Sequence, residues 1–281
     1  MRVRLVFGMV VVSLSVGTPV ARAAAEERYV SLGDSFVAGP LIPAVRPGSP
    51  LGCLRSDHDY PSLVAAGLKV AAFTDASCSG ATTTDMTTAQ HTRLGTNAPQ
   101  LNALTSRTTL VTLGIGGNDI GFADVVLSCG LFGLFDPAGA PCATRFGRGL
   151  DRRIAATGPK VAAVLRGIHE RSPQARVVVV GYLRLLPSGR GCWPRVPLGA
   201  GDTAYLDTAE RHLNAMLAGQ ARAGGAAFVD TYAGGDGHDM CAAEARRWVE
   251  GLVPRSPAAP IHPNAHGMRE VANRVLAALT T

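Results

Sequence analysis

Four consecutive valines, Val177 to Val180, leave few folds open to this chain. A strand with one wet face alternates apolar and polar residues. An unbroken β-branched run is apolar on both faces and must be covered on both, which is the habit of parallel sheets. Four other short stretches also read as strands: Tyr29 to Leu32, Val70 to Ala76, Thr108 to Gly114 and Ala226 to Asp230. Helical patterns cover Tyr60 to Val70 (with Pro61 in the first turn), Pro99 to Thr105, Ile120 to Leu127, Leu150 to Arg171, Asp202 to Ala223 and Asn264 to Leu279. Gly158-Pro159 predicts a break in the fourth of these. The alternation predicts right-handed crossovers and an α/β fold. A five-stranded parallel sheet carries helices on both faces, in three α/β/α layers. Leu41 to Pro61, Cys129 to Cys142 and Leu185 to Gly201 show no clear period and read as loops.

Residues 1 to 25 follow a different pattern. Arg2 and Arg4 precede an apolar run from Leu5 to Val16, and Ala21-Arg22-Ala23 or Ala23-Ala24-Ala25 offers a small-residue cleavage point. That is the layout of a secretory signal peptide, and the apolar run is shorter than the roughly 20 residues a membrane span requires. Residues 26–281 then form one domain, large enough to bury a substantial core. Removing the leader takes three arginines and no acid, leaving 24 basic against 21 acidic residues and a net charge near +3. No basic run interleaved with aromatics is present, so no nucleic-acid partner is expected. In an exported chain, Cys53, Cys78, Cys129, Cys142, Cys192 and Cys241 predict disulfides, in any of fifteen pairings. No C-x-x-C spacing occurs, and neither a metal nor an organic cofactor is implied.

The chemistry collects at strand ends. Gly33-Asp34-Ser35 breaks the first strand and puts a serine hydroxyl beside the N–H groups of a helix start. Ser77-Cys78-Ser79-Gly80-Ala81-Thr82 follows the second strand, Gly116-Gly117-Asn118-Asp119 the third, and His262-Pro263-Asn264 lies in the final loop. Ligands of open parallel sheets bind beyond the carboxyl ends of the strands, so Ser35, Gly80, Asn118 and His262 are expected on one rim. A serine hydroxyl is a weak nucleophile at neutral pH unless a base such as imidazole lies within hydrogen-bond reach. Acyl transfer places negative charge on the carbonyl oxygen, which fixed donors must meet; a backbone N–H at glycine and an asparagine amide both suit. Each residue also has a plainer reading. Asn118 suits a helix cap and Gly80 a turn, and His262 competes with six other histidines. His266, one turn into the last helix, is expected to face solvent. His238, in Asp236-Gly237-His238-Asp239, reads better as a loop residue beside Cys241.

In order and context these blocks resemble the SGNH (GDSL-type) hydrolases, over nearly the whole chain beyond the leader. The segment Ser77 to Thr83 and the six-cysteine layout are similar to secreted actinobacterial lipases and esterases of that family. The resemblance implies a flavodoxin-like three-layer fold, with Ser35 as nucleophile and His262 as general base. An oxyanion hole would come from the Ser35 and Gly80 N–H groups and the Asn118 side chain. Sequential disulfides follow from the same resemblance: Cys53–Cys78, Cys129–Cys142 and Cys192–Cys241. So does a secreted, monomeric carboxylic-ester hydrolase that acts on ester or lipid substrates, touches lipid surfaces transiently and needs no cofactor.

One departure stands out. Many members place an aspartate three residues before the histidine; here that residue is Ala259, and no carboxylate occurs between Arg255 and His262. A main-chain carbonyl, that of Ala259 or a near neighbour, is therefore expected to orient the imidazole, giving a Ser–His dyad. Asp230, Asp236 and Asp239 are the acids that compete for that role. A polysaccharide O-deacetylase and a non-catalytic binding module are the other readings of the same blocks. Leu131, Phe132, Leu134 and Phe135 either line an apolar acyl pocket or fill their own loop.

Overall fold

The computed structural model describes Met1 and residues 27–280, so the expected signal peptide lies outside the described residues. Among the described residues, β1 (Arg28–Gly33) and one helical turn, α1 (Ser35–Ala38), come first, followed by α2 (Tyr60–Leu68) and β2 (Ala72–Asp75). A small hairpin, β3 (Gln90–Thr92) and β4 (Gly95–Asn97), precedes β5 (Leu110–Gly114). Next come α3 (Phe122–Gly133), α4 (Pro141–Phe146), α5 (Gly149–Arg171), β6 (Arg176–Val180), α6 (Ala200–Ala223), β7 (Ala227–Val229) and α7 (Ala265–Thr280).

Five strands pair in the order β2-β1-β5-β6-β7, all parallel, as the valine run predicts. Every residue of β5 and Val177 to Val180 of β6 are buried. The helices α2 and α7 pack together, as do α5 and α6, and the two pairs cover the sheet to complete the α/β/α sandwich. The three disulfides are Cys53–Cys78, Cys129–Cys142 and Cys192–Cys241, the expected sequential set.

Three local expectations are corrected. Pro159 does not interrupt α5, which runs unbroken through it. Ile154, Val161, Val164, Leu165 and Ile168 form a buried stripe that holds the helix in place, against a proline cost of about 3 kcal/mol. Cys129 to Cys142 is not a plain loop, because α3 continues to Gly133 and α4 starts at Pro141. Val125, Val126, Cys129, Gly130 and Gly133 are buried at helical spacing, a pattern that the glycines obscure. Pro99 to Thr105 condenses to one 3-10 turn, Gln100–Ala103.

Candidate active site

Ser35 opens α1, one residue beyond the end of β1, which lies between β2 and β5, where the order of strands reverses. The ends of β1 and β5 come together because Gly33 has no side chain: a Cβ there would sit 2.5 Å from the Gly114 carbonyl oxygen. The Gln100 amide clamps Gly33 from the side, accepting its N–H at 2.7 Å and donating to its carbonyl at 2.9 Å. Asp34 Oδ1 accepts the Phe36 N–H at 2.9 Å and caps the turn that carries the serine. Asp34 Oδ2 accepts from the Tyr182 hydroxyl, which itself accepts the Gly117 N–H at 2.8 Å. One tyrosine thus ties the block after β1 to the block after β5. Burial pushes the Asp34 carboxyl up to about 7, against the hydrogen bonds from Tyr182 and Phe36.

The partner of Ser35 arrives from the far end of the chain. His262 Nε2 lies 2.7 Å from Ser35 Oγ, and Nδ1 lies 2.7 Å from the Pro260 carbonyl oxygen. The expected Ala259 carbonyl accepts the His262 main-chain N–H at 3.2 Å instead. Ile261 accounts for this: its φ of 66° bends the chain so that the Pro260 carbonyl meets the ring two residues on. A carbonyl can only accept, so Nδ1 carries the proton and the Nε2 lone pair faces the serine. Burial pushes the His262 pKa below the ordinary imidazole value, and the Pro260 carbonyl partly opposes that.

The rivals take other roles. Asp230 accepts the Tyr232 and Ala233 N–H groups, Asp236 pairs with Arg184, and Asp239 accepts the Cys241 N–H at 2.8 Å. Among the described residues no carboxylate bonds to His262. His238 stacks on Trp248 with ring centres 4.0 Å apart, and His266 is exposed.

Donors line the other side of the serine. Gly80 has φ +80°, and an added Cβ would meet only Gln90 Nε2, at 3.6 Å. Backbone conformation, rather than crowding, therefore favours glycine there. Gln90 donates to the Ser79 carbonyl at 2.8 Å, and the Cys53–Cys78 disulfide anchors the same loop. Asn118 donates to the Ala81 carbonyl at 2.8 Å, and Asp119 accepts the Thr83 N–H at 2.9 Å. Asn118 caps no helix, since α3 begins only at Phe122 with Gly121 before it. Its second amide hydrogen remains available. The N–H groups of Ser35 and Gly80 meet no protein acceptor among the described residues.

These groups open onto a cavity of about 270 Å³. Ser35, Gly80, Asn118 and His262 line it together, with Phe122, Leu185 and Leu213 on the more buried side. Leu131, Phe132, Leu134 and Phe135 line none of it. Phe135 is 89% exposed, Leu131 and Leu134 stand on the surface, and Phe132 lies under Arg145.

Behind His262 sits a cluster that sequence reasoning missed. Glu250, fully buried, accepts from Arg247 Nη1 at 3.0 Å, the Arg255 N–H at 2.9 Å and Asn264 Nδ2 at 2.8 Å. Its own N–H donates to the His262 carbonyl at 2.9 Å. Burial pushes the Glu250 carboxyl up, but those donors outweigh it and hold the group below its ordinary range. Gln100 and Tyr182 were missed as well, and Pro260 was covered only as a near neighbour of Ala259. Only Asn264 had a local signal, in His262-Pro263-Asn264.

Residues 31–270 match the GDSL-like Lipase/Acylhydrolase family, and the chain belongs to it, as a lipase/esterase of the SGNH type. Lipase 2 of Streptomyces coelicolor is 40% identical over 253 residues, 88% of this chain and 84% of that protein. The crystal structure of phospholipase A1 from Streptomyces albidoflavus NA297 superposes with a TM-score of 0.74 at 30% identity, covering 91% of this chain and 99% of that one. The extracellular lipase of Streptomyces rimosus gives a TM-score of 0.73 at 31% identity, covering 90% and 98%. Ester or lipid substrates follow from membership of that family.

Proposed function

We propose that the protein is an exported serine esterase or lipase that works through an acyl-enzyme, with a Ser35–His262 dyad held by a main-chain carbonyl. The observation that carries this is the chain Pro260 O···Nδ1–His262–Nε2···Oγ–Ser35, both contacts at 2.7 Å, beside N–H groups that have no protein acceptor among the described residues. Ser35 Oγ attacks the ester carbonyl while Nε2 takes its proton, and the imidazolium then returns that proton to the leaving alcohol. The Ser35 and Gly80 N–H groups and the Asn118 amide receive the developing oxyanion. Water repeats the sequence and frees the acid.

The apolar wall of Phe122, Leu185 and Leu213 favours a hydrocarbon acyl group over an acetyl group on a glycan. Leu127, Leu131, Leu134 and Phe135 stand exposed along and just beyond α3, whose Phe122 and Ala123 line the cavity. Those side chains support transient contact with a lipid surface by a monomeric enzyme. Three disulfides support export.

Hydrolysis of p-nitrophenyl butyrate by the oxidised protein tests the reaction. Ser35→Ala and His262→Ala should each lower kcat by about a thousandfold or more, and a wild type as inactive as these variants would sink the proposal. Leu131→Asp with Phe135→Ser should reduce turnover of emulsified triglyceride but not of the soluble ester. Equal rates on the emulsion would remove the lipid-contact role. Mass analysis of the exported protein should find an N-terminus near residue 26, and retention of Met1 would exclude a cleaved leader.

A further inference from the structure

The positive charge of this chain is concentrated on one stretch. Of the 24 basic and 21 acidic residues in 26–281, seven and two fall within residues 145–171, and the rest, 17 against 19, is slightly acidic. These cations are scattered along the sequence and converge only in the folded helix. At about 100° per residue, Arg148, Arg152, Arg153, Lys160, Arg166 and Arg171 fall within about 140° of the circumference of α5 and its cap, and all are exposed. Arg145, in the last turn of α4, is exposed as well.

This basic face borders the apolar side of α3. Arg145 stands over the Phe132 ring at 5.6 Å, near the end of α3, and Arg153 Nη1 donates to the Ile120 carbonyl at 3.0 Å, just before its start. The Cys129–Cys142 disulfide ties α4 to α3. Leu127, Leu131 and Leu134 recur at helical spacing and stand exposed, with Phe135 beside them. Phe122 and Ala123, in the first turn of α3, line the cavity that holds Ser35. Acids do not cancel the charge. Asp124 and Asp136 are exposed on the α3 side, Asp151 lies 2.8 Å from His212 Nδ1, and Glu170 stands at the far end of α5. Four carboxylates thus meet seven cations, and among the described residues Arg145, Arg148 and Arg152 form no ion pair.

We infer that the face built by α3, α4 and α5 docks on an anionic phospholipid surface. The leucines and Phe135 enter the acyl region, the arginines meet headgroup phosphates, and the mouth of the cavity is brought to the lipid. Apolar side chains flanked by arginine are what holds a protein in the interface of an anionic membrane. A neutral bilayer would leave the cations without partners, and a soluble polyanion would leave the leucines in water. The inference rests on the lipid-contact reading above and adds the charge of the lipid to it.

The test measures co-sedimentation of the Ser35→Ala protein, chosen so that the lipid stays intact, with vesicles of phosphatidylcholine alone or with about one third phosphatidylglycerol. Binding to the anionic vesicles should be about tenfold tighter or more, and that advantage should vanish between about 0.1 M and about 1 M salt, where screening shortens to about 3 Å. Each arginine removed should weaken anionic binding about fivefold, so Arg145→Gln, Arg148→Gln and Arg152→Gln together should erase the preference. In a chain that keeps Ser35, the same three changes should leave hydrolysis of p-nitrophenyl butyrate unchanged. Leu131→Asp with Phe135→Ser should weaken binding to both kinds of vesicle. The inference is overturned if the two vesicles bind equally, or if the triple variant keeps the preference. It is overturned too if Leu131→Asp with Phe135→Ser leaves anionic binding intact, which would make the face a site for soluble polyanions. Should the triple variant fail to fold, the vesicle ratio and its salt dependence still decide. Binding to neither kind of vesicle would overturn the lipid-contact reading, and this inference with it.

Discussion

Ser35 and His262 touch, yet the chain holds them by different means. Ser35 comes directly off a central strand paired on both sides, and the Gln100 amide locks the last residue of that strand. His262 sits between Glu250 and Asn264, a stretch with neither helix nor strand beyond the isolated bridge of Val249 with Pro263. There the buried group Glu250, Arg247 and Asn264 does what a ladder does for the serine. Regular pairing satisfies backbone groups as it forms. A loop brought to the same rigidity must bury charge instead, and it stays rigid only while every member is paired.

The two sides also respond to pH in opposite senses. Asp34 is raised by burial, so the folded protein binds that proton more readily than the unfolded chain. Its contribution is complete below the unfolded carboxylate pKa and is lost as pH rises through about 7. Glu250 is held low by its donors, so its contribution is present above the unfolded pKa and disappears as pH falls through the folded one.

The largest expected effect breaks the histidine side. Glu250→Ala leaves Arg247 buried without its partner and should cost about 3–5 kcal/mol in urea unfolding, with a fall in kcat. A loss under about 1 kcal/mol would mean that the cluster does not hold the loop.

Next is the serine side. Between pH 4.5 and 7.5 the wild type should lose stability relative to Asp34→Asn. The rise from 3.8 to about 7 caps that difference at about 4 kcal/mol. Parallel pH profiles for the two proteins would refute it.

Tyr182→Phe removes the bridge between the two loops and should cost about 1–3 kcal/mol. It should lower kcat more than it changes KM, because the turn bearing Asn118 loses its support. A change confined to KM would place Tyr182 in binding alone.

The smallest effect lies in the pH profile of kcat/KM, which should rise to a plateau with a midpoint below the ordinary histidine value of about 6.5. Asp230→Asn, Asp236→Asn and Asp239→Asn should leave that midpoint and the plateau unchanged. A loss at any one as deep as that of Ser35→Ala would replace the proposed dyad with a triad.

Much of the architecture could be read from the chain. Strand burial on both faces is a one-dimensional signal, so Val177 to Val180 announced the parallel sheet. Glycine breaks after strands marked where loops would gather. Helix continuity through Pro159 was not legible, because the cost of proline is local whereas the stripe that outweighs it needs a partner surface. The same holds for the glycine-rich end of α3, whose apolar period shows only once its buried face is known.

The sequence by itself determined which residue types the site would contain and on which rim they would lie, because strand order and turn chemistry follow from local patterns. Tertiary structure alone decided which carbonyl meets the His262 ring, that Tyr182 joins Asp34 to Gly117, and that Glu250 stands behind the histidine. Each of these depends on a bend of one or two torsions or on residues dozens of positions apart, and neither leaves a period in the chain.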